Sequence, residues 1–349
     1  MTAEAGAAAA GPSSHWGPAA PAAGAVLRSP MLRLVGRRLL AAIPVLWGVT
    51  LLTFAVMNVL PGDAAQQLLG ANATPAEVHA LEVKLHLNEP FWVRYGHWLG
   101  AAVTGHLGSS IQSGQTVTST LAQRLPLSIE LLAYVFLLTI VISVPLAVLA
   151  ARKPGGVTDR LSMMLSMGGL SIAPYVLALL LVLVFAVILR VFPAIGYVSP
   201  GESIPGNIRS LTLPAISIGF PVACVYTRLL RADIVEQMQS EDYVITARAK
   251  GVSQWQILVR HVLRNSVFGL ITLIGLNLGT LVGALVIIEP IFSLPGIGQA
   301  LLQAINSRDI PVAEAVTLVF AVVVVLANLL TDLLYAVLDP RIRYGRPTA

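Results

Sequence analysis

Long apolar runs separated by short charged connections set the pattern of this chain. Six runs stand out: Leu39–Leu60, Leu125–Ala151, Leu161–Phe192, Leu211–Leu230, Val262–Ile288 and Val312–Leu338. Each reaches the ~20 apolar residues that carry a helix across a ~30 Å hydrocarbon layer. The pattern predicts an all-α, polytopic membrane protein with six transmembrane helices. At 1.5 Å per residue the third run is too long to stand upright. It must tilt strongly or break, and Pro174 in "SIAPYV" marks the place. The first 30 residues, rich in Ala, Pro and Gly without periodic hydrophobes, read as a disordered tail. Leu39–Leu60 is too long for a signal-peptide core and no small-x-small cleavage site follows it, so it reads as an uncleaved span. The expected organisation is a tail (1–30), a first transmembrane helix (31–60), an extracytoplasmic helical segment (61–124) and a five-helix core (125–349) with a polar loop at 233–262.

Composition supports the membrane reading. Hydrophobic residues make up 56% of the chain and charged residues 11%, against about 25% charged in soluble domains. The mean hydropathy is +0.79. The formal charge of +5 follows from topology once the cations are placed. Sixteen of the 22 fall on one side: Arg152, Lys153, Arg160, Arg228, Arg231, Arg248, Lys250, Arg260, Arg264 and those of the two termini. The other side holds Lys84, Arg94, Arg124, Arg190, Arg209 and Arg308. The cation-rich side of a membrane span is cytoplasmic, which places both termini there, in a multi-pass protein of the plasma (inner) membrane. Nucleic acid is thereby excluded as the reason for the basic balance. The single cysteine, Cys224, forms no internal disulfide and reads as a small packed hydrophobe.

The outer segment carries "TPAE" (Thr74–Glu77), which has the form of a capping box with proline at the first helical position. Val78, Leu81 and Leu85 follow at helical spacing. After the break at "NEP", Trp92, Tyr95 and Trp98 open a second helix whose aromatic face suits the headgroup region. His79, His86, His97 and His106 lie here at irregular spacings, so no metal site is expected.

Reactive constellations are missing. There is no G-x-x-x-x-G-K-[ST], no H-E-x-x-H and no G-x-S-x-G, and none of Lys84, Lys153 and Lys250 follows a glycine. The chain therefore reads as not an enzyme, and if it moves solute with nucleotide energy, that energy must arrive from another polypeptide. Four carboxylates fall in or beside spans: Glu130, Glu289, Glu314 and Asp332. Each lies within two turns of a span end and is expected to reach interfacial water or a cation, Asp332 and Asp339 pairing with Arg341 or Arg343. A proton relay in an ATP-independent secondary transporter remains the alternative. Gly275, Gly279 and Gly283 recur every four residues on one face of the fifth span. That face serves either close packing within this chain or a path against a second membrane subunit.

"SEDYVITARAKGVSQWQILVRHVLRN", Ser240–Asn265, is the charged connection between the fourth and fifth runs. Ser240 reads as the cap of a helix with Glu241 and Asp242 in its first turn and Arg248 and Lys250 in its last, an order that suits the helix dipole. Gly251 occupies the helix stop, and Ser253 with Gln256 forms a second capping box. The stretch is thus a short helix, a glycine elbow and a membrane helix in series.

"DYVITARAKG" with "LVRHVLRN" resembles the cytoplasmic EAA loop of ABC-importer membrane subunits, in the form found in bacterial dipeptide/oligopeptide permeases. "LPGD" (Leu60–Asp63), "RLP" (Arg124–Pro126), "PGIG" (Pro295–Gly298) and "NLLTDLLYAVLDPRIR" (Asn328–Arg343) resemble the B-type permease in the same order. Ile245 and Thr246 depart from the loop's usual Glu and Ala, Arg264 stands for a late Pro, and Pro290 after Glu289 is unusual. The resemblance implies a type I ABC importer permease fold with its core permease domain at 125–349. It implies import by alternating access of short peptides, or of nickel or another small solute in related systems. A homologous second permease, one or two cytoplasmic ABC ATPases and an extracytoplasmic binding lipoprotein would be its partners. The chain itself would bind no cofactor, ATP and Mg being held by the ATPases. Asp242, Tyr243, Ala247, Arg248, Lys250 and Gly251 would form the ATPase-coupling loop, with Ala247 and Gly251 kept small for docking and for the turn.

Overall fold

A computed structural model of the chain describes residues 30–59, 73–84 and 88–338. The N-terminal tail, "LPGD", Leu85, His86 and residues 339–349, with Arg341 and Arg343, lie outside the described residues. Among the described residues the helices follow in order: α1 (Pro30–Val59), α2 (Pro75–Lys84), α3 (Phe91–Val103), α4 (Val117–Arg152), α5 (Val157–Ser171) and α6 (Pro174–Leu181, continued by the π-helical stretch Val182–Ile188). Then come α7 (Ile204–Ser240), α8 (Asp242–Ala249), α9 (Leu263–Ile291), α10 (Ile297–Ser307) and α11 (Ile310–Leu338). The turn Gln254–Gln256 and a π-helical stretch, Ile257–Val262, lead into α9.

Among the described residues four helices are long and apolar enough to cross a membrane, within Val35–Met57, Val117–Arg152, Ile204–Ser240 and Ile310–Leu333. The third expected span is the pair α5 and α6, bent by 102°. Ala173 is extended (φ −65°, ψ 141°) immediately before Pro174, whose ring disfavours the helical region for its predecessor. The break therefore falls where the proline predicts it. The fifth expected span is α9, 29 residues long and apolar over Asn277–Ile291. The helices overrun their apolar runs: α4 begins at Val117, where the Thr116 hydroxyl accepts from Ser119 N–H, and α7 reaches Ser240. At 36 and 37 residues they measure about 55 Å, well beyond a ~30 Å core. Their ends project into water.

Within a bilayer, helices gain little from hiding apolar surface from lipid, so contact faces use small and hydroxylic residues. The α4–α7 contact follows this rule. Ser128, Thr139, Ser143 and Ala147 are buried on α4, and Ser210, Ala215, Ser217, Ala223 and Thr227 on α7. Thr139, Ser217 and Thr227 donate to backbone oxygens of Val135, Pro214 and Ala223 at 2.7, 2.7 and 2.8 Å, which satisfies those three hydroxyl protons within their own helices. Cys224 is buried on the same helix, its thiol 3.8 Å from the Leu165 carbonyl of α5, as a packed small side chain.

Outside the spans, the capping box of α2 forms: Thr74 N–H and hydroxyl donate to Glu77 Oε2 at 2.9 and 2.8 Å. The aromatic residues of α3 turn differently from expectation. Tyr95 is buried on α1, its ring 5.4 Å from that of Phe54 and its hydroxyl 2.9 Å from Thr50 Oγ1. Only Trp92 of the three is strongly exposed, because Phe54 and Thr50 offer Tyr95 both an apolar face and a polar partner. Tyr95→Phe should lower thermal stability in detergent by about 1 kcal/mol, the net worth of one hydrogen bond. Adding Thr50→Val should lower it no further, and additive losses in that cycle would contradict the pairing.

Asp332 pairs with Arg38 of α1 (Nε–Oδ2 2.8 Å), because α1 lies alongside α11; the expected partners Arg341 and Arg343 lie outside the described residues. Glu289 also departs from expectation. Fully buried, it accepts from the Ser128 hydroxyl at 2.6 Å and from Gln299 N–H at 3.0 Å. Ser128 in turn accepts from Ile297 N–H at 2.9 Å. Glu289 and Ser128 thus occupy the free N–H groups at the start of α10, where a helix favours negative charge. This explains "PGIG". A side chain at Gly296 would strike the Glu289 carboxylate, and a Cβ at Gly298 would lie 2.7 Å from the Leu285 carbonyl. Glu130 is held by the Tyr197 hydroxyl and Asn207 Nδ2, at 2.6 and 2.8 Å. Asp309 accepts from the Ser110 hydroxyl and from Ile111 N–H, tying the 104–116 connection to the junction of α10 and α11.

Candidate functional site

The charged stretch folds as a lever seated on three spanning helices. α7 ends at Ser240, whose hydroxyl donates back to Glu236 O at 2.8 Å. The expected cap by Ser240 is therefore replaced: Glu241, extended at φ −83° and ψ 130°, stands at the start of α8 without a side-chain cap. α8 stops in a Schellman motif. Gly251 takes φ +78°, its N–H donates to Arg248 O at 3.0 Å, and Val252 N–H donates to Ala247 O at 3.2 Å. A Cβ at Gly251 would meet nothing within 4 Å, so the backbone conformation and not crowding inside the chain calls for glycine. Ser253 then caps the next turn by accepting from Gln256 N–H at 3.4 Å, as the sequence predicts.

One face of α8 is anchored. Val244 is fully buried in a cluster with Ala147, Val148 and Ala151 of α4, Leu230 and Ile234 of α7, and Ile257, Leu258 and Val262 ahead of α9. Tyr243 is half-buried and its hydroxyl donates to Gln237 Oε1 at 2.8 Å. Burial pushes that phenol above its usual range, so it remains a donor at neutral pH. Arg248 donates to the Met238 carbonyl in the last turn of α7 at 2.8 Å, a cation placed against the negative end of a helix. Ala247 packs against the same cluster. Tyr243, Ala247 and Arg248 thus hold α8 to its own chain.

The opposite face is open. Asp242, Ile245, Thr246, Ala249, Lys250 and Gly251 are exposed, Ile245 to 55%. Trp255, 46% exposed, lies under the Arg152 guanidinium at 5.5 Å from its ring centroid. Apolar Ile245 and Trp255 among cations make an interaction surface of mixed character. In the sequence Ile245 stands out only as a departure from the loop's usual Glu and Trp255 does not stand out, although an isoleucine inside a charged segment is a readable signal.

A second clamp lies at the same end of the molecule. Arg231 of α7 donates to both oxygens of Asp159 at 2.9 and 2.6 Å, and Gly155 N–H donates to Oδ2 at 2.8 Å. Arg231→Ala would strand a buried carboxylate, at a cost of about 3 kcal/mol or more. It should lower the thermal midpoint of the solubilised chain well beyond Arg38→Ala, whose ion pair is exposed. Equal losses would show that the Asp159 clamp is not buried in the membrane-embedded protein.

The glycines of α9 divide. Gly275 lies in α9, with its surroundings outside the described residues. Gly279 comes only to 3.8 Å (as a Cβ) from Val324, and Gly283 meets nothing within 4 Å. Among the described residues neither is used for close packing. Both line a groove of about 500 Å³ between α1, α9 and α11. Among the described residues no group of three His, Cys, Asp or Glu could hold a metal ion.

Comparison with known proteins places this architecture. The family model described as binding-protein-dependent transport system inner membrane component matches residues 143–344, which include the whole lever. The model for the N-terminal part of such components matches residues 31–132. The chain is 36% identical over 334 residues to a dipeptide transport system permease protein of Alkalihalophilus pseudofirmus, covering 90% of this chain and 100% of that one. It is 38% identical over 314 residues to a putative peptide transport system permease protein of Brucella abortus, covering 90% and 100%. A probable peptide ABC transporter permease protein of Sinorhizobium fredii is 35% identical over 308 residues, covering 88% and 98%. With two family models spanning most of its length and relatives aligned nearly end to end, the chain belongs to the family of inner membrane components of binding-protein-dependent transport systems.

Proposed function

We propose that this subunit imports short peptides, with the open face of α8 docking on a cytoplasmic ABC ATPase. The observation that carries the reading is α8 itself, exposed on one side and anchored on the other to the ends of α4, α7 and the segment leading into α9. A close-packed cluster transmits displacement without being compressed, so a pull on α8 reaches three helices together. The peptide substrate follows from the names borne by relatives that align along nearly their whole length. A second permease would complete the path, with the open glycine face at Gly279 and Gly283 toward it. An external binding protein would deliver the peptide, and both chain termini would face the cytoplasm. ATP and Mg would reside on the ATPases, whose two states must contact α8 differently for coupling to occur.

Ala247→Arg tests the docking. Ala247 adjoins the anchored cluster at the edge of the open face, and a guanidinium there would lift α8 from its seat. The ATPase should be lost during affinity purification of the variant in detergent, while the partner permease is retained. Undiminished recovery of the ATPase would refute the proposed contact.

A further inference from the structure

A recess of about 590 Å³ opens between the first turns of α4, helix α10 and the 110–115 connection. It lies at the end of the molecule opposite α8. Its size falls within the roughly 300–1,000 Å³ of small-ligand sites. The lining is dominated by carboxamides and hydroxyls, including Gln115, Thr120, Gln123, Gln303 and Asn306, and it holds one cation, Arg124. The walls are fixed. Asp309 grips Ser110 and Ile111 N–H, and Gln112 Nε2 donates to Ser307 O at 3.2 Å. Arg124 Nη1 donates to Gln303 Oε1 at 3.1 Å, which sets that amide so that its NH₂ remains a donor.

We propose that this recess binds a short peptide in transit, its carboxamides pairing with the peptide main chain and Arg124 taking the terminal carboxylate. The inference rests on the peptide-import reading above. Side-chain amides present a donor and an acceptor together, as a peptide unit does, and guanidinium is the group best shaped for a carboxylate. Among the described residues the lining has none of the aromatic rings on which sugars stack, and no His or Cys. Its one carboxylate, Asp309, is already engaged by two donors, which leaves a metal cation poorly served. The recess is also mechanically connected: α4 presents Thr120, Gln123 and Arg124 to it, and the other end of the same helix supplies Ala147, Val148 and Ala151 to the cluster under α8.

The test uses the whole importer in lipid nanodiscs, with Gln115→Cys as a reporter for alkylation by a maleimide; Cys224 is buried. Trialanine should slow alkylation. In the Arg124→Gln background the protecting concentration should rise about tenfold, the loss expected for one charge-assisted hydrogen bond. Trialanine amide should protect the wild-type and Arg124→Gln proteins equally, and more weakly than trialanine protects wild type. Equal protection by the acid and the amide in wild type would overturn the carboxylate role of Arg124. Uptake of trialanine by the reconstituted importer without any protection would overturn the recess while leaving peptide import intact. No uptake of trialanine or of longer alanine peptides would remove the import reading itself, and the recess proposal with it.

Discussion

Gly251→Pro is expected to abolish transport while leaving the chain inserted in the membrane. The native residue sits at φ +78°, and proline is held near −65°. Proline also deletes the N–H that Gly251 gives to Arg248 O. Both bonds of the Schellman motif depend on that turn, so α8 would leave its seat beside Val244 and the lever would lose its anchorage. Uptake by the reconstituted importer should fall by at least about tenfold, the equivalent of ~1.4 kcal/mol in coupling. Stimulation of ATPase activity by loaded binding protein should disappear. Gly251→Ala provides the graded control. With nothing within 4 Å of its Cβ, its cost is the left-handed backbone alone, about 1–2 kcal/mol, so partial activity should survive. Wild-type uptake by the proline variant would show that force does not pass through this turn.

Gly298→Val should prevent the half of the molecule opposite α8 from forming. The new Cβ would lie 2.7 Å from the Leu285 carbonyl carbon and oxygen and 2.8 Å from Val286 N. These are backbone atoms of α9, with no rotamer to yield. The cost should exceed the roughly 1–3 kcal/mol typical of overpacking, because α10 can move away only by pulling its N–H groups off Glu289 and Ser128. Size-exclusion profiles should show aggregation, and little protein should reach the membrane. Glu289→Gln separates shape from charge. It retains an acceptor for Gln299 N–H but brings an NH₂ into a site built of donors, so a loss of about 1–3 kcal/mol is expected with folding preserved. A monodisperse, stable valine variant would mean that α9 and α10 do not meet as closely as described.

The legible parts of the chain are those where local chemistry admits one answer. Pro174 restricts its predecessor whatever surrounds it, and the break occurs there. Thr74–Glu77 is a self-contained capping box, and Gly251 ends a helix in the way its position indicates. What escaped reading depended on partners far away in sequence. Ser240 looked like a cap, but α7 persists to that residue and consumes its hydroxyl at Glu236. Asp332 meets Arg38, 294 residues distant, a partner that no local pattern announces. Glu289 was read as near water, whereas the start of α10 folds over it. Tyr95 looked interfacial because its pattern does not reveal that Thr50 stands opposite. For the lever, the stretch and its elbow were readable. The division of labour within it, Tyr243 and Arg248 facing home while Ile245 and Trp255 face out, required knowing where α7 ends.

The π-helical stretch Ile257–Val262 changes how the helix beyond it must be counted. A π turn accommodates an additional residue in the same rise, which offsets the sequence-to-face mapping by roughly 100° relative to an unbroken α-helix. A helical wheel drawn through Trp255 and continued to Gly279 would therefore assign residues to the wrong sides. Cysteine accessibility along this segment should show a phase slip of one position between Gln256 and Leu263, so side chains on the two halves keep different azimuths although the rod itself is continuous.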